Sequence, residues 1–83
     1  MKIQVRYFAS LREALGAQEW LDMPSGSTLG DLRDVLIASS PRHGGLLARG
    51  QAVRCALAQR MCDEGTALVD GAEVAFFPPV TGG

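Results

Sequence analysis

Residues 2–8 read Lys-Ile-Gln-Val-Arg-Tyr-Phe, and their alternation commits this segment to a strand with one buried face. Ile3, Val5 and Tyr7 point one way; Lys2, Gln4, Arg6 and Phe8 point the other. Such a strand needs a cover on its apolar face, and the chain that follows offers one. Ser10 with Glu13 three residues later fits a capping box, Leu11 and Leu15 share a face, and Gly16 is a stop, so a short helix is expected over 10–15. Residues 17–23 read as a second strand, followed by the turn cluster Pro24-Ser25-Gly26-Ser27. Thr28 with Asp31 repeats the capping pattern. Leu29, Leu32 and Leu36 then follow helical spacing, which predicts the main helix over 28–39.

Residues 40–51 hold Pro41 and three glycines and read as the longest irregular connection, with a turn of helix at Leu46 and Leu47. Strands are expected over 53–58 and 60–62, with a turn at Asp63-Glu64-Gly65. Leu68-Val69 leads into the tight-turn signal Asp70-Gly71, and 73–77 forms the last strand. Pro78-Pro79 ends it, since neither residue can donate to a ladder. The order is strand, short helix, strand, helix, loop, strands. That predicts an α+β domain with one main helix packed across a small mixed sheet.

With 83 residues the chain builds one core and not two. Eight basic residues oppose nine acidic ones, Lys2 is the only lysine and the arginines are scattered, which argues against a nucleic-acid partner. No apolar run approaches the ~20 residues of a membrane span. Lys2, Arg6, Arg12 and Glu13 interrupt any export signal, so no membrane partner and a cytoplasmic location are expected. One histidine, His43, and two cysteines, Cys55 and Cys62, argue against a bound metal and read as packing and surface residues, as does Trp20. So few reactive groups leave little for a self-contained enzyme. They direct attention to a binding or carrier role.

The carboxyl-terminal residues Pro78, Pro79, Val80, Thr81, Gly82 and Gly83 suit a carrier. Prolines favour an extended stem, and two glycines make a thin end that can enter a narrow channel, with the Gly83 carboxylate at its tip. Parity puts Phe8 with Lys2, Gln4 and Arg6, and Phe77 with Glu73 and Ala75, on faces that otherwise look solvent-facing. Exposed aromatics at the foot of such a tail suggest a partner-binding patch.

The segment 69–83, VDGAEVAFFPPVTGG, closely resembles the end of the MoaD family, the small sulfur-carrier subunit of molybdopterin synthase, within the MoaD/ThiS superfamily. The segment 7–16, YFASLREALG, agrees with the family's opening, and the match is roughly colinear over the whole chain. The resemblance implies a ubiquitin-like β-grasp domain over 1–77 and a flexible tail over 78–83. It implies that a separate ATP-dependent enzyme adenylates Gly83 and that a sulfur donor protein converts it to a thiocarboxylate. The tail, from Pro78 and Pro79 through Val80, Thr81 and Gly82, then threads into the large synthase subunit of a 2:2 heterotetramer and delivers sulfur to a pterin precursor. On the same ground Phe8, Phe77 and Met61 are partner contacts, and Arg12 serves a partner or an ordinary ion pair. Ala58 departs from the family, which often has asparagine there. Two other readings use the same carboxyl-terminal chemistry: a thiamine-pathway sulfur carrier of the ThiS type, and a ubiquitin-like modifier joined to lysines. ThiS-type carriers are usually shorter and lack the FFPPVTGG ending.

Overall fold

The computed structural model describes residues 1–78. Eight elements follow in chain order: β1 (Lys2–Tyr7), α1 (Ala9–Leu15), β2 (Gln18–Asp22), α2 (Leu29–Ser39), α3 (Pro41–Leu47), β3 (Arg54–Leu57), β4 (Arg60–Met61) and β5 (Glu73–Phe77). The strands form one mixed sheet in the order β2-β1-β5-β3-β4. Only β1 and β5 run parallel, with Val5 opposite Val74 and Tyr7 opposite Phe76. This is the ubiquitin-like β-grasp arrangement, in which α2 covers one face of the sheet.

The alternation in β1 sorts as the sequence predicts: Ile3, Val5 and Tyr7 are buried, and the residues between them are exposed or half-buried. Val74 and Phe76 join them from β5, and Leu29, Leu32 and Leu36 close the core from α2. The Thr28–Asp31 capping box is formed. The Asp31 amide donates to Thr28 Oγ1 at 3.2 Å, and the Thr28 amide donates to Asp31 Oδ2 at 2.9 Å. Two otherwise orphaned donors are thereby satisfied.

Two local expectations change. The first helix starts earlier, with Phe8 as its cap and no side-chain bond, so the Ser10–Glu13 box does not form. Ala9 adopts φ 53°, a left-handed turn out of β1 that places Ser10 inside the helix. The 40–51 connection is largely helical: α3 begins with Ser40 accepting from the His43 amide and Pro41 in its first turn. One of its glycines has a packing reason, because a Cβ on Gly44 would lie 3.0 Å from the Ile37 carbonyl oxygen. Gly44 lets α3 lie close against α2.

The tight turn expected at Asp70-Gly71 is formed, with the Ala72 amide donating to the Val69 carbonyl. The Gly71 amide donates to the Lys2 carbonyl and the Lys2 amide donates to Asp70 Oδ1, which steers β5 in beside β1. Arg33, which no sequence signal singles out, is buried in α2. It donates to the carbonyls of Leu47 and Ala48 and pairs with Glu64 at 2.9 Å, tying the end of α3 to the 63–65 turn. Among the described residues no helix is long and apolar enough to cross a membrane.

Candidate functional site

The carboxyl-terminal segment begins at the end of β5, and the residues around that point are set by the parallel β1–β5 pair. The Phe8 amide donates to the Phe76 carbonyl at 3.2 Å, carrying the ladder one residue beyond β1. Phe8 and Phe77 therefore fall side by side on the outer face of the sheet, away from α2. Their rings stack with centroids 4.8 Å apart and planes 11° from parallel. Such a pair adds about 0.5–1.5 kcal/mol beyond the area it covers. Each ring shields the other, so both are half-buried and not fully exposed as parity alone suggests.

Arg6 extends this cluster. Its guanidinium carbon lies 5.6 Å from the centre of the Phe8 ring, and its Nη1 pairs with Glu73 at 3.3 Å. Arg54 sits opposite Phe77 in the β3–β5 ladder and so shares its face. The same face continues outward through small residues: Arg6 is opposite Ala75, Ala75 opposite Ala56, and Ala56 opposite Met61. Met61 is 54% exposed. The structure thus brings Phe8 and Phe77 into direct contact and puts Met61 on their face, two strands over on β4.

Pro78 is half-buried where the tail begins. The remaining tail positions of the sequence reading, Pro79, Val80, Thr81, Gly82 and Gly83, lie outside the described residues. Arg6 was legible from its parity with Phe8. Arg54 was not, because nothing local announces the β3–β5 register.

The titratable groups of the inner face serve structure. The Tyr7 hydroxyl donates to Glu19 Oε2 at 2.7 Å. Burial, then that hydrogen bond, then the Glu19 charge push the phenol well above its ordinary value. His43 Nε2 meets the same carboxylate at 2.9 Å, and its Nδ1 meets Ser40 Oγ at 2.7 Å, which joins α3 to β2. Among the described residues no three His, Cys, Asp or Glu side chains gather in a set able to hold a metal ion. The chemistry such a surface supports is recognition: an aromatic ridge flanked by arginines next to Pro78, where the carboxyl-terminal segment begins.

The ThiS family model matches residues 5–83. The molybdopterin synthase sulfur carrier subunit of Mycobacterium tuberculosis is 38% identical over 85 residues, covering 100% of this chain and 99% of that protein. Its counterpart of the same name in Escherichia coli is 38% identical over 81 residues, covering 98% and 99%. Among solved structures, the small archaeal modifier protein SAMP1 of Haloferax volcanii superposes with a TM-score of 0.83 at 26% identity, with both chains fully covered. A chain from the complex of subunits 1 and 2 of the Helicobacter pylori molybdopterin-converting factor superposes with a TM-score of 0.71, also at 26% identity and full coverage.

Proposed function

The chain belongs to the ThiS family, and from that membership we propose that it is the sulfur-carrier subunit of a molybdopterin synthase. The observation that carries the reading is the match at 38% identity, over essentially the full length of both chains, to two proteins of that name. The family match also runs to residue 83, so it includes the diglycine.

In this reading Gly83 is the reacting residue. A carboxylate resists substitution because its charge is delocalised and oxide is a poor leaving group. An ATP-dependent partner joins AMP to the Gly83 carboxylate with release of pyrophosphate. Sulfide-level sulfur released by a sulfur donor protein then attacks the acyl carbon and expels AMP, leaving a terminal thiocarboxylate whose sulfur is the better nucleophile. Gly82 allows the backbone to enter a narrow site, and Thr81, Val80, Pro79 and Pro78 set its reach. The large synthase subunit supplies the pre-organised site where sulfur passes to the pterin precursor, so catalysis is shared and this chain alone performs none. The complex of subunits 1 and 2 in Helicobacter pylori supports such a partner. A 2:2 assembly and a cytoplasmic location complete the proposal.

Phe8 and Phe77 are the docking ridge of this proposal, and Met61 is its outlying contact. The test is reconstitution: thiocarboxylated chain, large subunit and pterin precursor should yield the dithiolene product. Failure there, with sulfur passing instead to a thiamine-pathway acceptor, would move the chain to the ThiS-type role. The likeness to SAMP1 gives the modifier reading its own support. Lysine conjugates that survive denaturing gels would establish it beside the carrier role.

A further inference from the structure

Cys55 and Cys62 face one another across the β3–β4 hairpin. The ladder pairs Leu57 with Arg60 and Ala56 with Met61, so the next rung pairs Cys55 with Cys62. The Cys62 amide donates to the Cys55 carbonyl at 3.2 Å, which makes this a hydrogen-bonded rung. Opposed residues of an antiparallel ladder share a face, and the Cα atoms of such a rung lie about 5.5 Å apart. A disulfide spans Cα separations of about 4.4–6.8 Å.

The thiols are free, and their positions differ usefully. Cys55 is buried with Sγ 3.5 Å from the Cys62 carbonyl oxygen, so it already points at the facing strand. Cys62 is half-buried, and its thiol donates to the Arg60 carbonyl at 3.2 Å. Pairing with Cys55 requires it to leave that contact by rotation about its Cα–Cβ bond to another staggered well. Both cysteines line one open pocket of about 440 Å³, walled also by Val53, Arg54, Met61 and Glu64. A small oxidant has a path to them that does not cross the core.

We propose that Cys55 and Cys62 form a reversible dithiol–disulfide site, oxidised by a low-molecular-weight disulfide that enters through this pocket. The Cys62 thiolate attacks one sulfur of the oxidant and expels the other half as a thiolate, leaving a mixed disulfide. The Cys55 thiol then loses its proton, attacks the Cys62 sulfur and expels the second half. The two cysteines give up two protons and two electrons, and the oxidant is reduced to two thiols. Cys62 acts first because it is the accessible one. Burial, followed by the Glu64 charge, pushes the Cys55 thiol up, which makes it the poorer first nucleophile. The bond pins β4, a strand of only two residues, and with it Met61 next to Cys62.

The reduced full-length chain should be equilibrated at about pH 8, close to the ordinary thiol range, with graded mixtures of oxidised and reduced glutathione. Acid quenching, intact mass and peptide mapping then follow. The expected product is a monomer lighter by two hydrogens, with Cys55 joined to Cys62 and fully restored by dithiothreitol. The Cys55→Ala variant should stop at the glutathione adduct on Cys62. A persistent adduct on Cys62 of the unmodified chain, disulfide-linked dimers, or pairing seen only in denaturant would each overturn the proposal. The first readout uses the native sequence and does not depend on how the variant folds.

Discussion

Ala58 and Gln59 turn the β3–β4 hairpin with φ of 50° and 68°, both in the left-handed region. Two-residue hairpins of this kind favour Asn-Gly because other residues meet a steric cost there. The absent asparagine at position 58, visible in the sequence as a departure, therefore carries a stability cost located in the turn. Ala58→Asn should stabilise the chain by about 0.5–1 kcal/mol, read as a higher urea midpoint at unchanged slope. Tyr7 supports a second prediction at this scale. Its folded pKa lies above its unfolded value of about 10, so its contribution is complete below that pH. Above it the unfolded chain releases the proton while the folded chain holds it, and stability falls as pH rises. Tyr7 is the only tyrosine. Phenolate absorbance should appear together with alkaline unfolding and not before it, and Tyr7→Phe should flatten the decline.

At the scale of elements, Arg33 is the tie between α2, the end of α3 and the 63–65 turn. Arg33→Ala would leave the Leu47 and Ala48 carbonyls without their donor and Glu64 without its buried partner. A loss of about 3 kcal/mol is expected from equilibrium unfolding. Nothing in the sequence marks Arg33, because an arginine among leucines reads as the polar side of a helix. The legible elements were those with a local signature: the period of two in β1, the turn and the two prolines that bound β5, the Thr28–Asp31 box, and Gly16, which caps α1 at φ 95°. α3 was obscured because Gly44 and Gly45 lower helix propensity. Contact with α2, which only the fold supplies, favours a glycine at 44. The Ser10–Glu13 pattern misled because the chain turns at Ala9, one residue before the expected cap. At the candidate site, parity singled out Phe8 and Phe77 correctly as outer-face residues. Their mutual stacking depends on β1 lying parallel to β5, a pairing across nearly the whole chain that no local pattern encodes.

For the whole molecule, the proposed role assigns folding to the β-grasp body and the sulfur chemistry to the carboxyl-terminal segment. The stack where that segment begins belongs to both. Phe8→Ala should lower affinity for the large subunit by about tenfold or more. Its folding penalty should stay nearer the 0.5–1.5 kcal/mol of an aromatic pair plus its lost area. Binding measured by calorimetry, set beside a urea melt of the free chain, distinguishes this from general destabilisation. Deleting Gly82 and Gly83 should leave the melt unchanged and abolish sulfur acceptance. The most direct test of the carrier role asks whether Gly83 takes up sulfur. The purified chain would be incubated with ATP, its activating enzyme and a sulfur donor, then examined by intact-mass spectrometry with fragmentation. Replacement of one oxygen by sulfur, located on Gly83, is the predicted result. An unchanged mass beside a control carrier modified in the same assay, or sulfur placed on Cys62 instead, would contradict it.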